Sequence, residues 1–199
     1  MTDVEHELKR ALDGMDVDPD ELAFLALTSK PESEVRDRLA YRLHQQLAET
    51  ELEVAREWRR TDLAVLNGHG TPVALVEAKA LHSRFAVPRQ GLERWRNWVK
   101  GDLRKASDLA HRATAPEAEI YALLVVTHIK DEAPPDLSDA VKYQARMREI
   151  VPWGEAADNL RQFLPRLAGE PHQTELGEGE AFDLRAVITT WLFGPVSPP

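Results

Sequence analysis

The chain has 199 residues, 43% hydrophobic and 30% charged, with a net charge of −9 and no cysteine. It is long enough to bury a full core as one domain, and it lacks the thiols for a disulfide framework or a thiolate metal centre. The acidic total argues against a protein that coats nucleic acid with its whole surface. The seven histidines are scattered without ligand spacing, which argues against zinc. "MTDVEHELKRALDG" has no apolar h-region, and "IYALLVV" is far short of the ~20 residues that span a bilayer. A cytoplasmic protein without membrane contact is expected.

Residues 3–13 and 19–28 read as helices and form an expected accessory segment, 1–28. A third helix follows "TSKPE", with Ser29 as its cap and Pro31 in its first turn, and runs to about Ala48. "ELEVAREWR" (51–59) and "DLAVL" (62–66) read as strands. "NGHGT" is a glycine turn and "PVALVEAKA" (72–80) the next strand. A long helix is predicted over about 89–112. "AEIYALLVVTHI" (118–129), apolar and β-branched, reads as a central strand. Helices are predicted over 137–150 and 154–167, with a turn at "LGEGEAF" (176–182). A strand pair or one long strand follows over 180–193, and a disordered tail over 194–199. This order predicts an α/β domain over 29–193, a mixed sheet with helices on both faces.

The chemistry concentrates in Thr61–Ala80. Side chains alternate along a strand, so Val73, Leu75, Glu77 and Lys79 share one face, and Ala74, Val76, Ala78 and Ala80 the other. A hairpin sets the start of one strand beside the end of the next, which brings Asp62 to Glu77 and Lys79. Clustered charge is costly unless it is paired or holds a metal. Two oxygen ligands suit Mg²⁺ or Mn²⁺, and a lysine beside them can position water or neutralise a developing negative charge. That combination points to metal-assisted phosphodiester hydrolysis. A surface salt bridge at a hairpin end is the alternative reading of the same spacing.

On a helical projection of the third helix, Glu32 falls within the face of Leu39, Leu43 and Leu47, whereas Glu34 points away. Glu32 is thus either a third acid reaching the site or a charge that favours the helix N-terminus. From Arg84 to Lys105 there are seven basic residues against two acidic ones, so that segment is +5 on a remainder of −14. Such a basic stripe can meet a polyanion.

"PESEVRDRLAYRL", "RRTDLAVL" and "PVALVEAKA" resemble the core of the PD-(D/E)XK nuclease superfamily, the restriction-endonuclease-like fold. Arginine four residues after the glutamate resembles the nuclease domains of type I restriction subunits and their stand-alone relatives. The resemblance implies an αβββαβ three-layer core and a Mg²⁺- or Mn²⁺-dependent endonuclease or exonuclease acting on DNA, in defence, restriction or DNA processing. It implies Asp62 and Glu77 as metal ligands, Lys79 as the water-positioning lysine and Glu32 as the assisting helix carboxylate. Thr61 replaces the eponymous proline. A homodimer and a defence-system partner protein are further partners this reading admits. A catalytically silent module of the same fold, serving as a binding subunit, is the alternative.

Arg59, Arg60, Arg84, Lys100 and Lys105 are candidate nucleic-acid contacts. Arg59 and Arg60 equally suit pairing with Glu57, and Lys105 suits a helix-surface pair with Asp102. Trp95 and Trp98, three apart, are expected as core aromatics rather than stacking platforms.

Overall fold

In the computed structural model, the residues described are 2–87, 89–142, 151–163 and 170–196. Three helices come first: α1 (Val4–Asp13), α2 (Pro19–Thr28) and α3 (Glu32–Gln46). Strands β1 (Glu53–Trp58), β2 (Thr61–Leu66) and β3 (Pro72–His82) follow, then a 3₁₀ turn at Ser83–Ala86 and the long helix α4 (Arg89–Arg112). Strand β4 (Glu119–Ile129), helix α5 (Trp153–Phe163) and strands β5 (His172–Ala181) and β6 (Leu184–Val196) complete the order. The fold is α/β, with one six-stranded mixed sheet in the order β1-β2-β3-β4-β6-β5. Only β3 and β4 pair in parallel, joined by α4, and the other pairings are antiparallel.

Period-two alternation divides the sheet into two apolar faces. Leu63 and Val65 of β2, Ala74, Val76 and Ala78 of β3, and Leu123 and Val125 of β4 pack with α1, α2 and α3. Ala64, Leu75, Leu124 and Val126 pack instead with α4 and α5. Glu77 and Lys79 keep the parity of Leu75 and so belong to the α4 side. Ala74 and Ala78 of β3 share a buried cluster with Val35, Leu39 and Leu43 of α3. The two N-terminal helices share this core, since Leu8 and Leu12 of α1 and Leu22 of α2 belong to the cluster that includes Val35 and Leu39 of α3.

Several expectations are corrected. Ser29 does not cap α3: its hydroxyl turns back to donate to the Leu25 carbonyl at 3.1 Å, and Pro31 starts α3 without a side-chain cap. The segment "LGEGEAF" is mostly strand β5, and the turn lies at Phe182 and Asp183, both with positive φ (56° and 58°). Its glycines serve a close approach rather than a turn: a Cβ at Gly179 would sit 1.9 Å from the Pro19 carbonyl oxygen. Strand β6 continues through Val196, beyond the predicted start of the tail at Gly194. Of the helix predicted over 137–150, residues 137–142 form turns and the rest lies outside the described residues, as do 164–167 of the next. Among the described residues, no helix is long and apolar enough to cross a membrane.

Candidate functional site

β2 and β3 pair with Leu63 opposite Val76, and one further step of that register sets Asp62 opposite Glu77. The Asp62 carboxylate accepts a hydrogen bond from the Ala78 backbone N–H at 2.7 Å, which fastens it to β3. Its other oxygen lies 3.6 Å from the Arg36 guanidinium on α3. Arg36, only 12% exposed, also bonds Asp37 at 2.8 Å and Glu57 at 3.2 Å. Burial alone would lower the Arg36 pKa, but Asp37, Asp62 and Glu57 together raise it. Arg36 therefore stays charged and neutralises the acids around the start of β2.

Glu77 has no such cation to itself. On its β4 side the register places Ala122, a small buried residue. Burial is the largest influence on its carboxyl, followed by the negative charges of Asp62 and Asp102. Lys79 and Lys105 offset them in part, and the carboxyl is pushed up to about 8. Glu77 is thus held largely protonated at neutral pH by burial first, and then by the two carboxylates that its lysines only partly offset.

Lys79 projects from the same face, but its ammonium is committed to Asp102 on α4, at 2.8 Å. Lys105 reaches the other Asp102 oxygen at 2.9 Å. Burial would raise the Asp102 pKa, yet the hydrogen bonds from the two lysines outweigh it and hold the carboxyl below its ordinary value. Asp102 was expected as half of a helix-surface pair. It makes that pair, but it also reaches across to β3, which sequence reasoning missed. A signal was present: Asp102 falls in an i, i+3, i+4, i+7 stripe with Val99, Leu103 and Ala106, all buried.

Glu32 opens α3 and lines, with Lys79, Asp102 and Lys105, a cleft of about 710 Å³. Lys30 stands 3.8 Å from one Glu32 oxygen, and the other oxygen is buried without a hydrogen-bond partner. The carboxylate thus sits partly buried in the wall of the cleft. Asp62 stands opposite Glu77 across the hairpin, Lys79 acts electrostatically on Glu77, and Glu32 and Lys79 both line the adjoining cleft. Among the described residues, no three acidic or histidine side chains form a group that could hold a metal ion.

The outlying candidates divide. Lys105 lines the cleft. Lys100 is half-buried on α4. Arg84 lies over the Phe85 ring at 4.8 Å. Arg59 lies over Trp58 at 4.6 Å, and Arg59 and Arg60 form the β1–β2 turn with φ of 48° and 76°. Glu57, one of the two partners considered for these arginines, pairs with Arg36. Trp95 packs against the α4-side core, as expected, but Trp98 is 45% exposed and lines the cleft, which corrects its expected core role.

His82, also in the cleft wall, is lowered to about 4 by burial and then by Arg84, and so is neutral at physiological pH. No protein-family model, curated protein or solved structure matches the chain.

Proposed function

We propose that the chain is a metal-dependent nuclease that hydrolyses DNA phosphodiester bonds on a restriction-endonuclease-like αβββαβ core, in defence or DNA processing. The observation that carries this reading is the pairing of Asp62 with Glu77 on one sheet face, with Glu77 short of positive charge and Lys79 two residues on. A buried carboxyl pushed up to about 8 beside a second carboxylate is what a bound cation would relieve. The donors are oxygens only, which suits Mg²⁺ or Mn²⁺, and Mg²⁺ commonly takes one or two protein carboxylates with water and substrate phosphate completing its shell. Asp62 and Glu77 would hold the ion, and when bound it supplies an activated water and neutralises charge on the phosphoryl oxygens.

The chain's own residues do the rest. The Ala78 N–H orients the Asp62 carboxylate, and Arg36 limits the repulsion between Asp62 and Glu57. Asp102 positions Lys79 to donate to an attacking water or a phosphoryl oxygen. Glu32, with its unpartnered buried oxygen, accepts a hydrogen bond from a group entering the cleft.

One observation favours a second reading, a silent module that binds without cutting. Asp62 and Lys79 are already engaged, by Arg36 and Asp102, in a closed set of ion pairs. Incubation with supercoiled, linear and single-stranded DNA in Mg²⁺ or Mn²⁺ separates the two. The nuclease reading expects cutting that EDTA and Asp62→Ala abolish. DNA binding that weakens steeply with salt, with no cutting in either metal, is the outcome that establishes the silent module.

A further inference from the structure

The cleft beside the hairpin has a composition that hydrolysis alone does not require. Trp98, on the α4 wall, leaves nearly half of its surface exposed. Arg94, one turn earlier, lies over its ring at 4.6 Å, and Trp95 meets it edge-on at 5.4 Å and 68°. The indole is therefore braced on a helix while still presenting surface to the cleft. Around it stand Lys30, Lys79, Arg94 and Lys105 against Glu32 and Asp102, a local excess of positive charge on a chain of net −9.

We propose that Trp98 and Arg94 form a stacking site for an unpaired nucleobase, so that the cleft takes single-stranded or frayed nucleic acid rather than intact duplex. Indole and guanidinium both stack on the π face of any base, and flanking cations hold the adjoining phosphates. In a duplex those faces are covered by neighbouring base pairs, so only an unpaired or splayed base can use the site. The volume of about 710 Å³ lies within the range of ligand-sized clefts. Lys79 and Asp102 line the same cleft and act electrostatically on Glu77, so a strand stacked on Trp98 lies beside the hairpin. The inference deepens the nuclease reading and rests on it for the identity of the ligand.

The test is binding of the full chain to fluorescently labelled oligothymidylate in EDTA, where no metal-dependent cutting occurs. Trp98→Ala is expected to weaken binding about tenfold, and Trp98→Phe to restore most of it. An abasic strand with the same phosphates is expected to bind the wild type about as weakly as oligothymidylate binds Trp98→Ala. Circular dichroism checks that both variants fold. Equal affinity for the abasic strand, unchanged affinity in Trp98→Ala, or tighter binding of a blunt duplex would each overturn the stacking site. Trp98-dependent binding without cutting in Mg²⁺ or Mn²⁺ leaves the site standing and removes the hydrolytic reading. Metal-dependent cutting with equal abasic binding does the reverse.

Discussion

Asp62 and Glu77 stand across one hairpin from each other and differ in almost everything but chemistry. Asp62 has a backbone N–H on one oxygen and a nearby arginine on the other. Glu77 lies between Asp62 and Ala122 in the pairing, and the nearest lysine is held by Asp102. The difference teaches that ion pairs are not distributed here to minimise the cost of every charge. α3 delivers its cation to the start of β2, α4 delivers its carboxylate to the end of β3, and Glu77 is left under-compensated between them. A sheet built for stability alone would have a neutral residue at that position.

Breaking the Glu77 side of this comparison has the largest expected effect. On the proposed nuclease reading, Lys79→Ala should lower metal-dependent cleavage by roughly 10²–10³-fold while leaving the melting temperature near that of the wild type, which timed cleavage assays and thermal scans would check. Breaking the Asp62 side acts on stability. Arg36→Ala leaves Glu57 and Asp62 without their shared cation, Asp37 keeping Arg56 at 2.6 Å, and urea denaturation should show a loss of about 2 kcal/mol at most, below the fully buried case because the site is at a rim.

Glu77→Gln sharpens the comparison through pH. A carboxyl raised to about 8 in the folded state costs nothing where it is protonated in both states, below its ordinary range near 4.5. The cost then grows with pH up to about 8, because the unfolded chain releases the proton and the folded chain retains it. Glu77→Gln should therefore melt roughly 5 °C higher than the wild type near pH 8.5 and show no such gain near pH 4. The opposite slope would show that Glu77 is well compensated. The smallest effect is expected at Lys105, 78% exposed, where Lys105→Ala should leave the melting temperature unchanged because Lys79 still holds Asp102.

The hairpin half of the site was legible because strand alternation fixes the face from Ala74 onward; nearer the turn it failed, since a register shift between Val65 and Leu66 puts Val73 against the α3-side core rather than on the face of Leu75. From "DLAVL", "NGHGT" and "PVALVEAKA" alone, Asp62 can be set beside Glu77. The α4 half was not, because which helical turn lands over which strand residue depends on a crossover that local pattern does not determine. Asp102 and the exposure of Trp98 both depend on that placement. The same limit explains the misreading of Gly177 and Gly179: in a polar stretch, glycine for a turn and glycine for a close contact look alike. The neighbour that decides between them, Pro19, is some 160 residues away.

That contact joins the two ends of the polypeptide. The start of α2 rests against β5 where Gly179 has no side chain, Asp20 accepts a bond from the Glu180 N–H at 2.8 Å, and Asp13 reaches His172 and Thr174, both at 2.7 Å. The opening helices thus serve as a clasp on the outermost strand of the closing hairpin, shielding an edge that would otherwise invite pairing with another chain. Clipping the first thirty residues should accordingly loosen the far terminus, at the opposite border of the sheet from β1.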